Sequence, residues 1–141
     1  MGTALASILS FASFSFTHSL MSKQTASATA LAQDTMETVR NFRDNTAWNT
    51  NGLGTLTVGV AYHAQKSASP VVWQMILGAE TINGFSRNAT LASVARDGSS
   101  NIVLSGGVVD PNTKKVTVTV SWSERGRSHQ VQLLNYLTNW K

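Results

Sequence analysis

The sequence predicts an α+β protein in which one long N-terminal α-helix, residues 1–45, packs by its C-terminal half on an antiparallel β-sheet head, residues 46–141. Neither Gly nor Pro occurs between residues 3 and 45, which is compatible with one continuous helix. Asn and Gly residues at positions 45–54 then end the helix, and apolar residues beyond them alternate with a period of two. Because no helical pattern alternates with the strands, a parallel βαβ sheet is excluded.

The first part of the predicted helix, residues 1–22, is apolar, and the first charged side chain is Lys23. This length is about that needed to cross a bilayer. The Ser and Thr residues between Ser7 and Ser19 are small enough for neighbouring helices to approach closely. A helix over residues 3–45 would be roughly 60 Å long, so its first half is expected to protrude into a membrane or into other subunits. The residues expected to make its packing contacts are Leu5, Ile8, Leu9, Phe11, Phe16 and Leu20.

The second part of the helix, residues 23–45, is amphipathic. Apolar residues recur at spacings of three or four from Ala28 to Phe42, while Asp34 and Glu37 fall mainly on the other side. This apolar stripe is expected to cover one face of the head. The residues expected to join helix to head are Leu31, Met36, Val39 and Phe42.

The clearest strand of the head is residues 116–122. Its Val residues and Trp122 alternate with Thr and Ser, which predicts one face in a core and one in water. Turn-forming residues at positions 110–113 and 123–128 flank it with connections of hairpin length. The head is therefore expected to be a meander of about four to six antiparallel strands.

Composition and motifs argue against an enzyme. The chain has no Cys, which excludes disulfides, thiolate nucleophiles and Cys-ligated metals. His18, His63 and His129 are far apart, and no nucleophile elbow, phosphate-binding loop or dinucleotide motif is present. Residues 97–101, and Asp110 with Asn112, are expected to form turns rather than cation sites. We expect no catalytic residues, no cofactor and no metal.

The net charge of +4 does not indicate a nucleic-acid partner. The 11 Lys and Arg residues are spread from Lys23 to Lys141 without forming a basic stripe. Nucleic acid is therefore not expected among the partners.

Several segments occur in an order that resembles minor pilins of type IV pili and pseudopilins of type II secretion systems. These segments are residues 31–44 followed by Trp48, residues 81–85, Arg96 and Asp97 through Gly106 and Gly107, Asp110 with Pro111, residues 114–122 and residues 133–140. The resemblance covers nearly the whole chain. It implies a pilin-like fold and a structural subunit that assembles through its apolar N-terminal helix. It also implies other pilin subunits and an inner-membrane assembly machinery as partners, in the cell envelope: the inner membrane before assembly, then a periplasmic or extracellular filament.

The start of the chain departs from the pilin pattern. Pilin precursors carry a short basic leader ending in Gly, followed by an apolar start that contains a Glu, and residues 1–5 contain neither feature. We expect that the leader and the first part of the N-terminal helix are missing from this sequence, which then begins at an internal Met.

An alternative function uses the same N-terminal segment differently. Residues 1–30 would act as a signal peptide, because the triplets at residues 26–28 and 28–30 have the small residues of a cleavage site. The mature protein would then be an exported β-sandwich binding module. Against this alternative, no basic residue precedes the apolar run, and the amphipathic stripe begins within the cleavage region.

Overall fold

The computed structural model of the chain describes residues 22–139. It contains one α-helix, α1, Ser22–Asp44, and a short 3-10 helix, Leu53–Thr55. The strands are β1, Ala61–Lys66; β2, Trp73–Leu77; β3, Glu80–Ile82; β4, Phe85–Arg96; β5, Ile102–Val103; β6, Val108–Glu124; and β7, Arg127–Thr138.

This architecture corrects the predicted fold class, an α+β pilin-like protein built on one long N-terminal helix. About half of the described residues lie in seven antiparallel strands, and the α-helix among them has only 23 residues. A long helix over residues 1–45 packed on the sheet is not shown. The prediction rested on the absence of Gly and Pro, which permits a continuous helix but does not require one, and residues 1–21 lie outside the described part of the chain. It also underestimated the strands, because β6 continues through Pro111 and past the predicted turn at residues 110–113.

The strands form one sheet in the order β2-β1-β4-β6-β7, with β3 and β5 also paired to β4. Every pairing is antiparallel. The longest ladders join β4 to β6 and β6 to β7, whereas β1 is joined to β4 by two residue pairs, Ala61 with Thr90 and Tyr62 with Ala89. β2 and β7 are the two edges of this path.

The two faces of β6 differ in the way that its alternation predicts. Val116, Val118 and Val120 are fully buried and Trp122 is nearly so, whereas the Thr and Ser residues between them are half-buried on the opposite face. The buried face packs against α1 in one core. The core members are Ala28, Ala32, Met36, Val39, Phe42, Trp48, Leu53, Tyr62, Ala89, Leu91, Val116, Val118, Val120, Trp122, Val131 and Leu137.

The connection from α1 to β1 packs tightly around Trp48. A Cβ atom placed on Gly54 would lie 2.5 Å from Trp48 Cδ1 and 2.6 Å from the Trp48 carbonyl oxygen. The buried indole ring and the backbone have little room to move, so a side chain at position 54 overpacks the site.

We therefore expect Gly54→Ala to destabilise the fold by about 2 kcal/mol. Gly98→Ala is the matched control, because a Cβ atom there has no neighbour within 4 Å. Urea denaturation of the two variants checks the prediction. Equal midpoints for the two variants would show that position 54 is not packed in this way.

Candidate functional site

The residues predicted to pack the apolar N-terminal helix lie outside the described part of the chain. They are Leu5, Ile8, Leu9, Phe11, Phe16 and Leu20. His18 falls in the same region. The first described residue is Ser22, where α1 begins.

The structure places the predicted helix-to-head residues on the side of α1 that faces the sheet. Met36, Val39 and Phe42 are buried at 4%, 0% and 6% exposure. Leu31 is partly buried and packs against the same core. The head is thus attached to α1 through an apolar stripe that extends from Ala28 to Phe42.

Three buried threonines on α1 were not predicted as packing residues. Thr25, Thr35 and Thr38 are buried among the apolar residues. The Thr35 hydroxyl donates to the Leu31 carbonyl at 2.7 Å, and the Thr38 hydroxyl donates to the Thr35 carbonyl at 2.7 Å. Such bonds to the preceding turn let a hydroxyl be buried at little cost. Each of these threonines lies three or four residues from a buried apolar residue of the same helix, which places it on the buried side. They were not predicted to be buried because their side chains are polar.

Arg87 of β4 fastens the middle of α1 to the sheet. Its guanidinium lies 3.1 Å from the Asp34 carboxylate on α1 and 2.7 Å from the Glu80 carboxylate on β3. The Arg87 side chain is only 12% exposed, so these charges attract each other in a partly desolvated setting. No sequence pattern links Asp34 with a residue this far along the chain, and the pairing was missed.

The start of α1 lies at one end of the sheet. The Trp122 indole Nε1 donates to Gln24 Oε1 at 3.2 Å, and the Trp122 ring contacts the rings of Phe85 and His129 at centroid distances of 5.6 and 5.5 Å. We call this end of the sheet, formed by Lys23, residues 66–72, residues 83–84 and residues 123–128, the proximal end. The chain that precedes α1 therefore joins the head here.

At the opposite, distal end of the sheet, Arg96, Asp110 and Thr113 form a hydrogen-bonded cluster at an irregular stretch of β6. We call this cluster the clamp. The pairing of β4 with β6 shifts register after Ser93, which leaves residues 111–113 without partners on β4. Arg96 Nε donates to the Asp110 carboxylate at 2.8 Å, and Arg96 Nη2 donates to the Thr113 hydroxyl at 3.1 Å. The Trp48 indole Nε1 donates to the Pro111 carbonyl at 2.9 Å, which ties the segment after α1 to this stretch.

The clamp lowers the pKa of Asp110 to about 2, chiefly through the hydrogen bond from Arg96 and next through the backbone N–H of Asn112. Since the folded pKa lies below the ordinary value of 3.8, the ionised carboxylate stabilises the folded state. This contribution is fully present above about pH 4 and is lost as the pH falls toward 2.

We expect Asp110→Asn to cost on the order of 1–2 kcal/mol at neutral pH, with the difference from the parent chain shrinking between about pH 4 and pH 2. Denaturation curves across that pH range check this, with Glu37→Gln as an exposed control. A difference that stays constant with pH would contradict the assigned role of the carboxylate.

Of the two segments considered as cation sites, residues 97–101 form an ordinary turn, whereas Asp110 and Asn112 lie within β6 and not in the predicted turn. The Asp97 carboxylate accepts hydrogen bonds from the backbone N–H groups of Asn101 and Ser99, which lower its pKa. The Asp110 carboxylate is occupied by Arg96 and Thr113. Across residues 22–139, no group of three or more His, Asp or Glu side chains is placed to hold a metal ion.

A polar cleft of about 650 Å³ lies beside the C-terminal end of α1, lined by residues 43–50 and Asn139. Its two charged side chains, Arg43 and Asp44, bond to each other at 3.0 Å. Among the described residues that line the cleft there is no His.

The distal end also has exposed apolar side chains on both sides of the turn between β5 and β6. They are Ile102, Leu104, Val108 and Val109. Leu104 is 98% exposed. Within the region from Ser22 to Asn139, no helix combines the length and the apolar character that crossing a bilayer requires.

No family model matches the chain, and no curated protein or solved structure is significantly similar to it.

Proposed function

We propose that the protein is a structural subunit, a minor pilin or pseudopilin, of a type IV pilus or type II secretion filament. It assembles through its apolar N-terminal segment, residues 1–22. Its partners are other pilin subunits and the inner-membrane assembly machinery. It resides in the inner membrane before assembly and afterwards in a periplasmic or extracellular filament. The role needs no catalytic residues, cofactor or nucleic acid.

One structural observation favours this function over that of an exported binding module. Both small-residue triplets that resemble cleavage sites, residues 26–28 and 28–30, lie inside α1. Ala28 is fully buried in the core that α1 shares with the sheet. Cleavage there would remove the first turns of the helix, including Gln24 and its hydrogen bond to Trp122. This supports an N-terminal segment that stays attached to the head.

The mechanism of assembly follows from the composition of that segment. Lipid tails are as apolar as Leu and Phe side chains, so no hydrophobic effect drives the segment from the bilayer into a filament. Close packing between segments must supply the free energy, and their many Ser and Ala residues permit such packing. The buried stripe on α1 and the ion pairs of Arg87 fix the sheet relative to α1, the helix that follows the segment in the sequence.

Detection of the protein in filaments tests the proposal. Surface filaments and overproduced secretion filaments would be sheared from cells, purified, and examined by peptide mass spectrometry. A strain that lacks the inner-membrane assembly machinery provides the control for contaminating membrane. We expect peptides of residues 46–139 in the filament fraction of the parent strain only. Their absence from both kinds of filament, with the protein present in the cell envelope, would refute the proposed function.

A further inference from the structure

The antiparallel register brings three turns and the start of α1 to the proximal end. β1 runs opposite to β4 and ends at Lys66, so its connection to β2 points toward the end of the sheet at which β4 begins, with β3 paired to that part of β4. β6 also runs opposite to β4, so its turn to β7 at Arg125 and Gly126 lies at the same end. Gln24 and Trp122 join the first turn of α1 to this group.

The proximal end carries an excess of positive charge. Lys23, Lys66, Arg125 and Arg127 are all exposed, and none of the four has an acidic partner among residues 22–139. The Lys66 ammonium lies 5.1 Å from the Trp73 ring centroid. Glu124 contributes one negative charge to this end.

Two exposed apolar side chains accompany these cations. Val71 and Val72, in the connection between β1 and β2, are 68% and 45% exposed. Their backbone is held by the hydrogen bond from the Ser67 N–H to the Val72 carbonyl at 2.9 Å. The hydrogen bond places Val72 near Lys66, so the proximal end has both features that bind a protein surface to an anionic bilayer, apolar contact and attraction to lipid phosphates.

We propose that the proximal end is a contact surface for an anionic lipid bilayer, which Lys23, Arg125 and Arg127 bind through their charges and Val71 and Val72 through apolar contact. The inference rests on the proposed function, because the bilayer in question is the one that holds residues 1–22 before assembly. The apolar segment enters the head at this end, so a bilayer that holds the segment faces these residues. On release of the subunit into a filament, the contact is lost.

The electrostatic part of the contact has a predictable size. Each Lys or Arg near an anionic surface strengthens binding about fivefold. Removing Arg125 and Arg127 is therefore expected to weaken the contact about 25-fold. Raising the salt concentration from about 0.1 M to about 1 M shortens the screening length from about 10 Å to about 3 Å and should weaken the contact further.

The absence of Cys from the sequence allows a site-specific test in the full-length chain. Ser128→Cys places a fluorescent label at the proximal end, and Ser99→Cys places it on the exposed distal turn. Each labelled protein is reconstituted into vesicles that contain a lipid with a quencher on its headgroup. The vesicles are phosphatidylcholine alone or phosphatidylcholine with phosphatidylglycerol. Flotation of the same samples reports whether the chain is held by the vesicles.

We expect quenching of the Ser128→Cys label, but not of the Ser99→Cys label, in the vesicles with phosphatidylglycerol. The quenching should fall at high salt and in the Arg125→Gln/Arg127→Gln variant. It should persist in Lys114→Gln/Lys115→Gln, which removes the same charge from the distal half of β6. Quenching that does not depend on phosphatidylglycerol, or that is equal at the two sites, would overturn the inference.

The failure of this inference and the failure of the proposed function give different results. A chain that floats with the vesicles but shows no quenching at residue 128 overturns the bilayer contact and leaves the filament role intact. A chain that does not float has no membrane-held segment, and both proposals then fail. A label signal that depends on protein concentration rather than on lipid identifies a second copy as the occupant and also overturns the bilayer contact.

Discussion

Leu9→Glu is expected to abolish incorporation of the protein into sheared filaments while the head stays folded. A carboxylate in the middle of an apolar segment costs about 3 kcal/mol on insertion scales, which corresponds to more than a hundredfold shift in the equilibrium. It also interrupts the close packing between segments that must drive assembly. Phe16→Glu should have the same effect. Quantitative peptide mass spectrometry of filament and membrane fractions measures both.

The control for this experiment is Leu9→Met, which keeps the volume and the apolar character of the side chain. Circular dichroism and protease resistance of residues 22–139 report on the folding of the head. Leu9→Glu should match the parent chain in both measurements. Unimpaired incorporation of Leu9→Glu would count decisively against a role of the N-terminal segment in the filament core.

Val39→Asp is expected to cause the largest loss of stability in the head. Val39 is fully buried where α1 packs against the sheet. Nothing at this apolar site pairs with a carboxylate, so the substitution buries a charge or forces it to take up a proton. We expect the free energy of unfolding to fall by about 4 kcal/mol or more, and Tm to fall by about 15 °C.

Asn41→Asp is the matched control for Val39→Asp, because position 41 is exposed on the same helix. It introduces the same charge two residues away and should change stability by less than about 0.5 kcal/mol. Thermal unfolding of the full-length variants in mild detergent compares the two. Similar values of Tm for both variants would mean that α1 is not part of the core of the head.

Local patterns account for the parts of the fold in which burial follows a regular spacing. Alternation along residues 116–122 separates the buried valines of β6 from the Thr and Ser residues of the other face. On α1, the buried residues from Ala28 to Phe42 follow the three-and-four spacing of a helix side. These patterns are readable because each depends only on neighbours within one element.

The remaining features depend on residues far apart in the sequence. The contact of Arg87 with Asp34 and the clamp of Arg96, Asp110 and Thr113 arise only when the sheet has formed. The error in the fold class also involves distant residues, because the length of β6 depends on its pairing with β4 and β7. The charged surface at the proximal end also requires the folded structure, since Lys23 lies far in the sequence from Arg125 and Arg127.

The decisive measurement is the intact mass of the protein isolated from the cell envelope and from filaments. It reports whether the apolar segment is still attached to the head. A filament subunit retains residues 5–20, so we expect the intact mass in both fractions to include these residues. A mature chain that begins near Ala28 or Ala30 would contradict the account, since the segment would then be a discarded signal peptide and the head an exported module.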